Sequence, residues 1–439
     1  MFLQYAIWGA WLPLLWPFLS GHRGFSPSEI GNMFAIGAVG AIVAPFIAGQ
    51  IADRWFNTEK FLGISHILGG ILVWQLASLE TYNSFLVFSL LYSLIYSPTL
   101  SLTNSLAFHH LPDRDRDFGK IRVWGTIGWI VVGIGIGQWL LHQHTPTGLE
   151  AEAVSAAQAA GMADAFKLSG LLGIVMGIFC FFLPSTPPAK EEKKSAIGGA
   201  LDAIRLQPLL TLFLIAVPIS CVHQFYFVHT APFLGQFQNQ AEGFINIVNK
   251  IVGVGGGGLM TIGQMAEIGV LALIPLFAKK YSRKALLCVG IAAYALRMFL
   301  FAYSPSFPEA AQLPAIILGI AMHGLCFGCF IFVAFMVVDE ECATDVRASA
   351  QSLFNLVIVG IGIIVGSKVA GYVAEISTVN EVMNYQKLFS VPMWAALACL
   401  VIMQLCYPNK PPATAADGPS DKDANLDIDS DATSNNGDE

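Results

Sequence analysis

Twelve stretches of about twenty mostly apolar residues recur along this chain, and that repetition limits what it can fold into. One such stretch, wound as a helix, crosses the hydrocarbon core of a bilayer. Backbone inside lipid must satisfy its own N–H and C=O groups, which leaves only helices and closed barrels. The runs are continuous rather than alternating, so they read as helices. Their approximate limits are 2–20, 29–52, 61–79, 84–107, 121–141, 166–184, 208–236, 251–278, 285–303, 313–338, 350–374 and 388–407. Composition agrees: 55% of the 439 residues are apolar and 12% are charged, too few charges for a soluble surface of this size. The predicted fold class is an all-α polytopic membrane protein with twelve transmembrane helices. The first run begins at Met1 with no basic segment before it and no small-residue cleavage site after it. It reads as a membrane helix rather than a signal peptide.

The polar segments set the organisation. Pro184 to Leu206, with Lys190-Glu191-Glu192-Lys193-Lys194, separates the sixth run from the seventh. The layout this predicts is a six-helix bundle over 1–184, a cytoplasmic linker over 185–207, a second six-helix bundle over 208–407 and a disordered acidic tail over 408–439. The last thirty residues hold eight acids and two lysines, most of the net charge of -7, so the body is near neutral and nucleic acid is not an implied partner. The tail is rich in Pro, Ala, Asp, Ser and Asn and cannot bury enough apolar surface to fold. Seventeen Lys and Arg residues fall on one set of ends and loops and four (Arg23, Lys167, Lys250, Lys387) on the other. Positive charge stays inside, so both termini and the linker are expected in the cytoplasm. A charged tight loop follows the second run of each half, at Gly49-Gln50-Ile51-Ala52-Asp53-Arg54 and at Lys279-Lys280-Tyr281-Ser282-Arg283-Lys284. That echo suggests two six-helix pseudo-repeats.

Chemistry enters where polar residues interrupt the apolar runs. Glu267 is the one charged residue between Ile251 and Ala278. Near the bilayer midplane a carboxyl must neutralise, find a partner or face a wet cavity. Gln264 precedes it by three residues and shares its helix face. In the fifth run Arg122, Thr126 and Trp129 recur at i, i+4 and i+7, a donor, a hydroxyl and a large ring on one face. The competing reading is an Arg reaching to headgroups and a Trp in the core. The seventh run holds His223, Gln224, Tyr226 and His229, more polar groups than packing needs. Helix–helix hydrogen bonding is the alternative for the two histidines. His323 and Phe327 in the tenth run stand beside small residues and fit either a cavity wall or a packed core.

Other motifs carry less. Cys326-x-x-Cys329 lies within an apolar run with no second ligand pair, so it reads as packing, and no metal or cofactor is expected. Gly133 and Gly137 form a G-x-x-x-G that reads as helix packing. Gly255-Gly256-Gly257-Gly258 lacks the Lys-Ser/Thr of a phosphate loop and reads as a flexible or broken helix start. No constellation suits hydrolysis, so an enzyme is not expected.

Gly49-x-x-Ala52-Asp53-Arg54 resembles the loop signature of the major facilitator superfamily, in which acid and base latch the cytoplasmic gate. Several motifs together resemble that superfamily's nucleoside:proton symporters. They are Ile121-Arg122-Val123-Trp124-Gly125-Thr126-Ile127-Gly128, Gln264-x-x-Glu267, Leu296-Arg297, Leu300-Phe301-Ala302-Tyr303 and Arg347-Ala348-Ser349-Ala350-Gln351. Phe2-Leu3-Gln4, Pro98-Thr99-Leu100, Asn104 and Gly366-x-Lys368 belong to the same set. The resemblance implies nucleoside uptake across the cytoplasmic (inner) membrane, driven by a proton gradient, through a site between two bundles. It implies that Arg122, Thr126, Gln224, Gln264, Glu267 and Phe327 bind substrate. Trp129 replaces another aromatic, and His323 replaces a tyrosine. Glu267 is the implied proton residue, and Asp53 with Arg54 the gating loop. Trp129 and Phe327 are expected to stack a base. Phe227 and Gly328 depart from the family, where an asparagine and an aspartate can stand, and leave a ring and a void in place of two polar contacts. Two rival readings are a facilitator or exporter of another solute, such as a sugar or drug, and a non-transporting membrane sensor.

Overall fold

The structure, a computed structural model, describes residues 1–47, 56–187, 197–239, 243–343 and 346–409. Asp53 and Arg54, the expected gating loop, lie outside the described residues, as does the tail from 410 onward. Among the described residues the long helices follow the order of the apolar runs and are called spans one to twelve. Spans one to six are Phe2–Gly21, Pro27–Ile47, Thr58–Leu76, Tyr82–His110, Arg114–Gln143 and Ala163–Cys180. Spans seven to twelve are Leu209–Asn239, Gly257–Lys280, Arg283–Tyr303, Glu309–Glu341, Ser349–Ser377 and Tyr385–Cys406. Eleven are long and apolar enough to cross a membrane. Thr58–Leu76 falls short by composition, because Glu59, Lys60, His66 and Gln75 lower its hydropathy. It packs inside its half, against spans four and six.

Several boundaries differ from the apolar limits, each for a physical reason. Span five begins at Arg114, because the helix continues through the charged stretch from Arg114 to Lys120, beyond the apolar window. Span eight begins at Gly257 rather than 251, since Gly253, Gly255 and Gly256 take positive φ and part it from a separate helix, Gly243–Val252. The linker contains a short helix, Ile197–Ile204. Spans ten and eleven each widen into a π-helical turn, at Cys326–Phe332 and Leu356–Gly362.

The packing repeats six spans apart. In the first half span three packs on six, one on five, two on four and one on six. In the second, nine packs on twelve, seven on eleven, eight on ten and seven on twelve. Small residues make these approaches close, as lipid supplies no hydrophobic drive between helices. A Cβ on Gly70 would lie 2.7 Å from Gly170 O, and one on Gly173 would lie 2.9 Å from Gly70 Cα. The halves meet through spans two and eleven, five and eight, and one and seven. This arrangement is the major facilitator fold.

Backbone approaches between the halves cluster at the end of the molecule away from the linker. A Cβ on Gly31 would lie 3.0 Å from Gly371 Cα, and one on Gly137 2.5 Å from Val252 O. Val254 N–H donates across to Gly137 O at 3.0 Å. Trp16 of span one packs edge-on against His229 of span seven, centroids 4.4 Å apart. Gly133 and Gly137 therefore pack one half on the other, and not merely helix on helix within a bundle. The glycine run is not loose. Gln238 Nε2 donates to Gly253 O (2.8 Å) and Asn249 Oδ1 (3.0 Å), and Gln238 Oε1 accepts from Gly256 N–H (2.8 Å).

Candidate functional site

Glu267 lies ten residues into Gly257–Lys280 and thirteen from its end, roughly 15 and 20 Å by helical rise. The backbones of spans eight and ten touch here. A Cβ on Gly324 would lie 2.5 Å from Ala266 O and 2.9 Å from Glu267 N, and one on Gly263 would lie 3.0 Å from His323 Cβ. That contact sets His323 Nε2 3.5 Å from Glu267 Oε2, with both side chains largely buried. Gln264, one turn earlier, is buried and its Oε1 has no hydrogen-bond partner within the protein. A buried acceptor without a protein partner is a natural contact for a ligand donor.

Behind His323 stands Arg297 of span nine, fully buried. Its Nη1–H donates to His323 Nδ1 at 3.2 Å. The guanidinium lies 4.2 Å from the Tyr226 ring centroid and 5.0 Å from that of Tyr294. Tyr226 runs parallel to His323 at 4.8 Å, and the Tyr294 hydroxyl is 2.6 Å from His223 Nδ1. His223 thus joins the cluster. His229 does not: it bonds Ala370 O at 3.2 Å and serves packing.

The opposite wall comes from span five. The Arg122 guanidinium lies 4.1 Å over the Tyr5 ring of span one. Thr126 follows one turn on and is partly exposed. Trp129 is held edge-on by Trp8 (5.9 Å) and faces Phe227 of span seven (6.5 Å, 76° between planes). The partner ring across the gap is therefore Phe227 rather than Phe327, whose ring lies 6.5 Å from His323. Gln224 is buried on span seven, against Gly366 of span eleven. Gly328 leaves no void, because a Cβ there would lie 2.6 Å from Val270 Cγ1 of span eight. The space an acid would occupy is filled by an apolar branch.

Sequence reading left Arg297 and Tyr294 unassigned and treated Phe227 only as a departure. The charge of Arg297 inside an apolar run was the available signal. A second polar cluster lies in the first half. Gln4 Nε2 donates to Thr99 Oγ1 (2.9 Å), and its Oε1 accepts from Thr103 Oγ1 (3.0 Å) and meets His66 Nε2 (2.8 Å). These groups tie spans one, three and four together, with His66 Nδ1 left without a hydrogen-bond partner.

Comparison with known proteins bears on the family and the fold. The profile of the family described as Nucleoside H+ symporter matches residues 1–411. YegT of Escherichia coli (strain K12), provisionally named a nucleoside transporter, is 33% identical over 85% of this chain and 83% of its own length. The xanthosine permease of the same organism is 28% identical over 91% of this chain and 92% of its own. The crystal structure of the nucleoside transporter NupG superposes with a TM-score of 0.78 at 24% identity, covering 93% of this chain and 97% of that one.

Proposed function

The chain belongs to the nucleoside H+ symporter family, and from that premise we propose that it takes up nucleosides with protons by alternating access. It is an integral membrane transporter and not an enzyme. The observation that carries the finer reading is the juxtaposition at the bilayer midplane of a largely buried Glu267, a buried unpartnered Gln264 and, across the gap between halves, Arg122 and Trp129. A base would stack on a face of Trp129 or Phe227 once this edge-to-face pair parts, gaining both dispersion and desolvation. Gln264 and Gln224 would bond its edge or the ribose hydroxyls. Thr126, His323 and Phe327 complete the wall.

Glu267 is the proton carrier in this reading. Its protonated form donates to substrate, and losing the proton inside weakens that grip. With the linker and termini in the cytoplasm, as the Lys and Arg asymmetry supports, the glycine-packed end is the outer gate. The site then loads after that end opens and empties toward the linker side. Rocking of the halves about the site supplies the exchange.

Uridine uptake into proteoliposomes under an imposed pH gradient tests this. Glu267→Gln is expected to lose pH-driven accumulation and keep counterflow. Retention of wild-type accumulation would end the proton role. Phe227 and the Val270-filled position beside Gly328 favour one second reading, a less polar solute than a nucleoside. Competition of labelled uridine uptake by adenosine, sugars and unrelated drugs separates the two.

A further inference from the structure

We infer that Arg297 is a positioning residue that fixes the tautomer of His323 and so aims a hydrogen-bond donor, not a second base, at Glu267. The inference rests on the reading of Glu267 as the proton carrier. Its basis is the line Arg297–His323–Glu267 across spans nine, ten and eight. A guanidinium only donates. With Arg297 Nη1 3.2 Å from His323 Nδ1, that nitrogen must offer its lone pair. The ring proton is then on Nε2, the nitrogen facing Glu267 Oε2 at 3.5 Å. A closure of a few tenths of an ångström makes this a charge-assisted hydrogen bond to the carboxylate.

The parts have little freedom to do otherwise. Arg297 is enclosed by the rings of Tyr226 and Tyr294. His323 lies parallel to Tyr226, and its Cβ abuts Gly263. A second proton on His323 would remove the acceptor from Arg297 and set two cations side by side in a dry core. The imidazole therefore passes the influence of the Arg297 charge to Glu267 without taking the proton itself. The other groups around Glu267 do not substitute for it. Arg122, on span five, has its guanidinium over Tyr5. The Tyr226 ring on span seven lies under Arg297 while its hydroxyl has no hydrogen-bond partner and so makes no bond to Glu267, and His223 on the same span is bonded to the Tyr294 hydroxyl. Cys326 of span ten is a fully buried thiol beside Tyr226.

The test uses the full chain in proteoliposomes, with uridine uptake measured against pH and counterflow as the check of assembly. His323→Gln cannot titrate, yet it offers an acceptor toward Arg297 and a donor toward Glu267. It is expected to keep the wild-type pH midpoint, although its uptake rate can change because His323 also lines the binding wall. His323→Phe and Arg297→Met each remove the donor aimed at the carboxylate and are expected to move half-maximal uptake by about one pH unit to higher pH. The double variant is expected to move no further than either single one, because Arg297 acts through His323. If Arg297→Met does not assemble, Arg297→Lys keeps a donor and is expected to keep the wild-type profile; a shifted profile overturns the inference. So does loss of pH-driven accumulation in His323→Gln with counterflow intact, since the histidine then carries the proton. Unshifted His323→Phe and Arg297→Met profiles overturn it alone when Glu267→Gln has lost coupling. Wild-type accumulation by Glu267→Gln overturns the proton reading and this inference together.

Discussion

Gly253→Ala should hold the outer end of this transporter apart. Gly253 has φ +78°, and a Cβ on it would lie 1.9 Å from Gly137 C on the facing half. Carbon atoms in contact need about 3.5 Å, so the two backbones must part by roughly 1.5 Å. That motion breaks the bond from Val254 N–H to Gly137 O, now 3.0 Å long. The left-handed backbone costs alanine about 1–2 kcal/mol and the lost bond about 1 kcal/mol. The strain of the left-handed backbone is present whether the outer end is open or closed, so the lost bond alone, at about 1 kcal/mol, weakens the closed outer state, a change in its population ratio of about fivefold. A cysteine replacing Ile136, which lies among Gly133, Gly137, Val254 and Gly257, reports the change. Its labelling by a membrane-impermeant thiol reagent should rise with Gly253→Ala by up to that factor. Gly135→Ala is the control, on the same helix but facing open space. It should leave labelling unchanged while gaining up to about 1 kcal/mol of helix propensity. Equal labelling of wild type and Gly253→Ala would refute the assignment of this contact as the gate.

Removing the rings across the gap should weaken binding more than turnover. Trp129→Ala and Phe227→Ala are each expected to raise the KM for uridine about tenfold, read from initial rates of uptake. Gln238→Ala strands Gly253 O, Gly256 N–H and Asn249 Oδ1 in the core. It should cost about 2–4 kcal/mol and lower the Tm of the detergent-solubilised protein by several degrees. Glu267→Gln should abolish pH-driven accumulation but leave uridine counterflow measurable, because the amide mimics the protonated carboxyl.

The membrane class, the number of long helices and their order were legible because lipid imposes the same demand on every span, and that demand is written in length and hydropathy. The depth of Glu267 followed from the same rule, and Gln264 beside it from helical spacing. Boundaries were less legible wherever glycine or a charged helical extension governed them, as at Gly253–Gly256 and Arg114–Lys120. Hydropathy is blind to helix rotation and to the choice of neighbour. Arg297 was visible as a charge inside a span, but nothing in the sequence set it against His323 or His323 against Glu267. That line depends on Gly263 and Gly324 bringing spans eight and ten into backbone contact, and on Tyr226 and Tyr294 enclosing the guanidinium. The same holds for Gly133 and Gly137, whose spacing announces a close approach without naming its partner. Gly328 likewise reads as an empty position until Val270 is found in it. The sequence by itself determined which groups are withdrawn from water, because burial in lipid is a property of each span taken alone. Which of those groups face one another was decided only by tertiary packing, because contact between spans depends on the shapes of both surfaces at once.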